Sequence, residues 1–219
     1  MHIGNHSDSC LGKTLSPAVV IFLDVLGTKK VYSAKRDDHK QLDEILRKYE
    51  FLIRRVGDYA VSGVGRQCAV SSFSDCIFLS RPWCTNDECI NHILGWCFFV
   101  SGFAQAEAAR LQLMVRGGIG IGSFSKNRYG VGGESIVEAF IGESVVAKNP
   151  VVVLSSKANR YVAAYRNANR FFYEGGRYFA NFSAYLDEED IRQEIRQYID
   201  LMRSETDETK YRWFVERNF

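Results

Sequence analysis

An α+β fold with a β-α-β-β-α-β core is predicted by three observations. Short β-branched or apolar runs break at turns in Ala18–Leu23, Gln67–Phe73 and Cys76–Ser80. Apolar residues recur at three- and four-residue intervals over residues 42–56 and again over 87–112. A glycine-studded apolar stretch, Leu113–Gly122, closes the series. That order is the split ferredoxin-like arrangement, in which strands one and three lie side by side. At 219 residues the chain fits one large domain, which buries ~70% of its unfolded surface and needs no staples.

Val19–Asp24 reads as a buried strand, because its apolar run is continuous and ends in a turn. Leu42, Ile45, Leu46, Tyr49, Leu52, Ile53 and Val56 mark an amphipathic helix that Gly57 is expected to stop. Gln67–Phe73 and Cys76–Ser80 form two strands joined around Ser74–Asp75. The second helix spans Asp87–Gln112, with Ile90, Ile93, Leu94, Cys97, Phe98, Ala104, Ala108 and Leu111 inward, and Leu113–Ile121 is the fourth strand. Asn127–Gly133 is a glycine-rich hairpin or loop, Glu134–Val146 a helix and Val151–Leu154 another buried strand. A short helix over 156–166 precedes a hairpin of 170–174 and 177–181 around Gly175–Gly176. Asp187 is expected to cap a last helix carrying Ile191, Ile195, Tyr198 and Met202. The division that follows is a flexible N-terminal arm over 1–17 and one domain over 18–219. Its core covers 18–155, and a C-terminal α/β extension covers 156–219.

Hydrophobic content of 46% and charged content of 25% are ordinary globular values. A net charge of +2, with only the short basic runs Lys29–Lys30 and Arg54–Arg55, gives no footprint for nucleic acid. The longest apolar stretch, Gly95–Ala104, is interrupted by Ser101 and Gly102 and falls short of a membrane span. The first 17 residues are polar and resemble no signal peptide. The six cysteines, at 10, 68, 76, 84, 89 and 97, therefore read as reduced thiols, and their spacing supports no zinc site. A cytoplasmic protein without nucleic-acid or membrane partners is expected.

Chemistry gathers at Asp24 and Asp75, 51 residues apart in matching strand–turn contexts. Carboxylates at strand ends are held rigidly yet open to solvent, and two on neighbouring strands can clamp hard divalent cations. The bland alternative is a pair of solvated turn residues. Val25 offers a backbone carbonyl to the same cations, and the amides of Leu26, Gly27 and Thr28 suit phosphate. Arg116, inside an apolar strand, needs an anionic partner: a triphosphate, or a salt bridge to Asp75 or Glu107. The glycines at 117, 118, 120 and 122 open no helix, so they read as places where another backbone or a ligand comes close.

These residues carry a family resemblance. Phe22–Thr28, Phe73–Asp75 and Val115–Gly122 look like the three signature blocks of class III nucleotidyl cyclases, and Gly133–Ala139 resembles the fourth, over residues 18–155 in all. The resemblance implies a homodimer with sites formed between chains. It implies two divalent ions, Mn²⁺ or Mg²⁺, on Asp24, Val25 and Asp75, with Asp24, Asp75 and Arg116 as the catalytic set. Substrate contacts would come from Phe22, Leu26, Gly27, Thr28 and Arg116. Two departures redirect the reading. Purine-reading positions, six residues before Asp75 and three before Gly133, hold Ala69 and Gly130; the transition-state Asn and Arg fall at Val137 and Ile141. Lys148, Asn149 and Arg160 are candidates to replace them. The pattern is most similar to the bacterial Pycsar pyrimidine cyclases, which make cyclic UMP or cyclic CMP in response to phage and act through a cyclic-nucleotide-binding effector protein. UTP is the expected substrate, with CTP as the alternative. Tyr49 either walls a smaller base pocket or is an ordinary core tyrosine. A catalytically inactive, nucleotide-binding cyclase-homology module is the non-enzymatic alternative. A ferredoxin-like RNA-binding domain is disfavoured, since the strands carry Asp24, Asp75 and glycines in place of exposed aromatics.

Overall fold

The computed structural model describes residues 16–26, 39–62, 68–84, 86–127, 130–202 and 208–219. The core runs β1 (Ser16–Val25), α1 (His39–Ser62), β2 (Ala69–Phe73), β3 (Cys76–Pro82), α2 (Asp87–Arg110) and β4 (Val115–Asn127). Then come β5 (Gly130–Gly132), α3 (Glu134–Ile141), a π-helical turn (Gly142–Val146), β6 (Val152–Leu154) and α4 (Ser156–Val162). The C-terminal part adds β7 (Phe171–Glu174), β8 (Arg177–Ala180), α5 (Phe182–Glu188), α6 (Arg192–Met202) and α7 (Glu208–Asn218). One sheet takes the order β2-β3-β1-β4-β6-β8-β7, with β5 paired to β4. Its first four strands have the predicted ferredoxin-like order. Among the described residues only the β4–β6 pairing is parallel; the others are antiparallel.

β1 is a continuous apolar run because both of its faces are covered. Val19, Ile21, Leu23 and Val25 face the main core with Leu52 and Val56 of α1 and Ile93, Leu94 and Phe98 of α2. Val20 and Phe22 point the other way, onto Ala139 of α3. That second face is built by glycine. A Cβ at Gly118 would overlap the Ala139 carbonyl oxygen and stand 2.9 Å from Glu143 N; one at Gly120 would overlap the Ser135 carbonyl oxygen, and one at Gly122 would press on Glu134 at 2.7 Å. Strand residues two apart on one face therefore meet helix residues four apart, backbone against backbone. The close approach expected of these glycines is that of α3.

Several expectations need correction. β1 begins at Ser16, so the last two residues assigned to the arm belong to a strand; residues 1–15 lie outside the described residues. α1 runs through Gly57 instead of stopping there. Burial compensates the weak helix former, and its bare Cα lets the helix lie on Val70, 3.2 Å from where a Cβ would sit. β4 extends six residues past Ile121 to pair with β5. Asp187 lies within α5 and pairs with Arg192 at 2.7 Å instead of capping α6, and α7 follows the helix expected to be last. Cys84 and Cys89 form a disulfide. The cap brings them together, since Asn86 accepts from Cys89 N at 2.8 Å and folds the first turn of α2 back toward Cys84. Cys68, Cys76 and Cys97 are free. The extension is no separate body, because β7 and β8 continue the sheet and Tyr185 and Leu186 join the main core. Among the described residues, no helix is long and apolar enough to cross a membrane.

The glycine face yields a test. Gly120→Ala must push α3 off the sheet and is expected to cost about 1–3 kcal/mol or more in chemical denaturation. Gly132→Ala, whose new Cβ meets nothing within 4 Å, should be close to neutral.

Candidate active site

Asp24, the penultimate residue of β1, is gripped from both sides. It pairs with Cys76 of β3 and with Arg116 of β4. Beyond it, Val25 N donates to Asp75 O at 3.3 Å and Leu26 N to Met114 O at 2.8 Å. The strand end is thus anchored to both neighbours, and Asp24 cannot swing away as a free turn residue would. Asp75 is held by a two-residue turn, in which Ser74 takes φ of 55° so that Phe73 and Cys76 can pair. Side chains of directly paired residues share a face, so Asp24, Cys76 and Arg116 form one row at the edge of the glycine face.

The Arg116 guanidinium fills the middle of this row. Its Nε and Nη2 both donate to Asp24 Oδ2 at 3.2 Å, and Nη1 donates to the Ala147 carbonyl at 3.3 Å. Nη2 also lies 2.7 Å from Glu143 Oε1, an ion pair without hydrogen-bond alignment, since that buried oxygen has no hydrogen-bond partner. Asp75 and Glu107, the salt-bridge partners weighed from sequence, are not the ones used; Glu107 pairs with Arg55 and Arg110 instead. The Glu143 side chain is only 4% exposed, against 17% for Asp24. The π-helical turn and the glycine face bring it here. Gly142 lets that turn lie on Gly118 and Val153, where a Cβ would stand 3.3 and 3.1 Å away.

Burial and crowding make Asp24 and Glu143 harder to ionise. Burial raises Asp24 above the usual carboxylate range, Arg116 opposes that and Asp75 reinforces it. Burial drives Glu143 up to about 7, against the pull of Arg116 and with the help of Asp24 and Asp75. Cys76 is pushed up to about 12, by burial and by the Asp24 and Asp75 charges, and stays a neutral thiol. Its Sγ contacts Asp24 Oδ1 at 3.7 Å and Asp75 Oδ1 at 3.8 Å. Asp24, Asp75 and Cys76 each offer a ligand atom within 4.8 Å of the others, all half-buried. Paired carboxylates whose mutual repulsion is only partly answered by one arginine fit hard divalent cations.

The remaining expected site residues fall in different places. Phe22 shares the Asp24 face but is buried, packed on Phe78 and Phe140 with ring centroids 4.6 and 5.7 Å away. It floors the site beneath α3. Val25 and Leu26 lie at the strand end beside the carboxylates. Gly27 and Thr28 lie outside the described residues. Tyr49 belongs to the main core, with Leu23 and Val25 on the opposite face from Asp24, and the structure does not bring it to the carboxylates. Ala69 starts β2 and Gly130 starts β5. Val137 and Ile141 stand exposed on the outer side of α3. Lys148 is exposed, and Arg160 lies over its neighbour Tyr161 at 4.8 Å. The sequence reading missed Glu143 and Cys76. The widening of the helix to a π-helical turn after Ile141 conceals the first, and the second depends on the single-residue register between β1 and β3.

No protein-family profile matches the chain, and no curated protein does. Among solved structures it is similar to the monomeric guanylyl cyclase domain of the RhoGC fusion protein from the aquatic fungus Blastocladiella emersonii. That match has 10% identity and a TM-score of 0.50, over 76% of this chain and 95% of the other. The guanylate cyclase domain of RhGC from Catenaria anguillulae, solved in complex with GTP, matches at 12% identity and a TM-score of 0.48, over 76% and 96% of the two chains. The likeness to the first is one of fold: the chain has the mixed α+β architecture of a cyclase catalytic domain.

The raised carboxyls fix the sign of a pH effect. A native acid with a raised pKa holds more protons than its unfolded counterpart, so stability falls as pH rises through that interval. For Glu143 the interval runs from 4.5 to about 7, and Asp24 adds an effect of the same sign. Asp187 and Glu194, held low by hydrogen bonds to Arg192 and Arg110, act below it. In chelator, stability should therefore fall between about pH 5 and 7, by at most about 1.4 kcal/mol per pH unit for each group, and the melting temperature should fall with it. Thermal scans of wild type and Glu143→Gln would check this, and the variant should lose most of the slope. A wild-type curve that rises over the window counts against the assignment.

Proposed function

We propose that this chain is a class III nucleotidyl cyclase that converts UTP to 3′,5′-cyclic UMP and diphosphate. The observation that carries the reading is the convergence of Asp24 of β1, Asp75 of the β2–β3 turn and Arg116 of β4 onto one edge of a cyclase-like fold. In the reaction the ribose 3′-oxygen bonds to the α-phosphorus, the bond from that phosphorus to the β-phosphate oxygen breaks, and the 3′-hydroxyl proton leaves to solvent. Asp24 and Asp75, with the Val25 carbonyl, would hold two divalent ions, Mn²⁺ or Mg²⁺. Bound there, the ions supply positive charge beside the 3′-oxygen and the departing diphosphate. Arg116 presents a planar donor fork to the triphosphate, and Gly27 and Thr28 would supply further amide donors; the Leu26 amide, expected to join them, is spent on Met114 O at 2.8 Å.

Pyrimidine choice rests on Ala69 and Gly130, which offer no polar side chain to a purine edge. Missing readers relax selectivity, and shape must supply the exclusion. CTP is the alternative substrate. The resemblance to pyrimidine cyclases supports a cytoplasmic second-messenger role in antiphage defence, coupled to a cyclic-nucleotide-binding effector. A homodimer is supported by an apolar stripe on the outer side of α3 and the turn after it: Val137, Phe140, Ile141 and Val145 are 44–64% exposed. Such a patch beside a site is an interaction surface in waiting. One observation favours an inactive nucleotide-binding module instead. Val137 and Ile141 stand where a cyclase of this family presents its transition-state donors, and losing such a donor costs on the order of 10²–10³ in rate.

Purified protein incubated with each of the four NTPs and Mn²⁺, with products separated by chromatography, tests the reading. Cyclic UMP should dominate. Cyclic AMP or cyclic GMP at a comparable rate defeats the pyrimidine assignment, and binding without diphosphate release establishes the inactive module. Asp24→Ala and Asp75→Ala should each abolish turnover while thermal unfolding in chelator stays cooperative; wild-type activity in either ends the two-carboxylate assignment. In sedimentation the protein should run as a dimer at micromolar concentration, and Ile141→Asp should shift it toward monomer. An active wild-type monomer would contradict the shared site.

A further inference from the structure

Arg116 occupies the carboxylate that the proposed chemistry needs. Both of its contacts to Asp24 fall on Oδ2, while Oδ1 faces the Cys76 thiol. A divalent cation bound at Asp24 Oδ1 would share one carboxylate with a guanidinium held 3.2 Å from Oδ2, and the two cations repel at that range. That repulsion drives the guanidinium away, and because it is three-quarters buried it needs another carboxyl at hand. Glu143 is the one in place. It is 2.7 Å from Nη2, almost wholly buried, and its Oε1 has no hydrogen bond of its own. The Ala147 carbonyl, already bound to Nη1, gives a pivot at the end of the same turn.

We infer that Glu143 is a positioning residue that receives Arg116 from Asp24 when Asp24 is committed to a cation. The handover leaves the Arg116 guanidinium paired with a carboxyl in both states. In the first state, Arg116 neutralises Asp24 and keeps the carboxylate cluster from flying apart electrostatically. In the second, Glu143 and Ala147 hold the guanidinium at the edge of the site, with its Nε freed to face substrate phosphate. The role rests on the metal-binding reading of Asp24 and Asp75 given above, and it assigns to the π-helical turn a task in the site. Glu143 itself need not touch cation or nucleotide.

Mn²⁺ alone, titrated into the purified full chain without nucleotide and followed by the loss of free-ion electron paramagnetic resonance signal, tests the inference. In Glu143→Gln, which keeps the side-chain volume, the displaced guanidinium has no receiver. Mn²⁺ affinity should fall roughly tenfold or more, the size of effect seen when a supporting partner of a metal ligand is lost. In Arg116→Gln nothing has to be displaced, and affinity should equal or exceed that of wild type. The double variant should match Arg116→Gln, because the receiver is needed only when there is something to receive. Wild-type affinity in Glu143→Gln overturns the inference. So does a double variant as weak as Glu143→Gln, which would make Glu143 a direct ligand, and so does weakened binding in Arg116→Gln. Asp24→Asn separates the two levels of the argument: if it binds Mn²⁺ as tightly as wild type, or if wild type binds none, the metal centre fails, and the proposed function and the inference fail together.

Discussion

The close seat of the α3 backbone on the glycine face of β4 is the constraint on which the rest of the site depends. Gly118, Gly120 and Gly122 remove the side chains that would otherwise keep a helix about a nanometre from a sheet. With the helix backbone in contact with the strand, the turn that follows is carried down to the level of Asp24. Only from there can Glu143 and the Ala147 carbonyl reach Arg116. A helix packed at ordinary distance on β-branched residues would leave Arg116 with Asp24 alone. The glycines thus act on chemistry without touching it, by setting one interlayer distance.

Electrostatics explains why so tight an arrangement is tolerable. Asp24 and Glu143 share one arginine beside the Asp75 charge, and burial penalises each charge that lacks a partner. The native state answers by holding the Glu143 proton more tightly, up to about 7. A site in this condition has stored an affinity for positive charge. Divalent ions, or the protons that stand in for them, relieve the same repulsion. The neutral Cys76 thiol beside both aspartates adds no charge of its own, and so neither worsens nor cures the imbalance.

Much of this was legible in the sequence, and the unreadable part has definable causes. The strand order followed from element order, and with it the meeting of Asp24 and Asp75, because strands one and three of a ferredoxin-like core are neighbours. The glycines of 117–122 announced a close approach, though not what approaches. Register was hidden: that Arg116 and Cys76 flank Asp24 is a matter of single-residue pairing that periodicity does not fix. Glu143 was hidden more deeply. α-Helical spacing from Glu134 to Val146 says nothing of the widening to a π-helical turn after Ile141. Gly57 misled because burial of α1 against Val70 overrode intrinsic propensity. The Cys84–Cys89 bridge eluded a reading based on compartment, because a helix cap, a local device, brings the two residues together.

α3 and its turn present two series with different tasks, and this bears on what else the site requires. The inner series, Ser135, Ala139 and Glu143, is small until its last member and fits the glycine face. The outer series, Val137, Ile141 and Val145, is apolar and exposed. These apolar side chains have nothing to donate to a polar ligand, and a face of this kind gains by being covered. A second copy seated on that face would bury the stripe and bring its own residues to the edge of the Asp24 row. Assembly and the site would then be linked through one helix, whose inner series is spent on the glycine face and whose outer series is left for a partner.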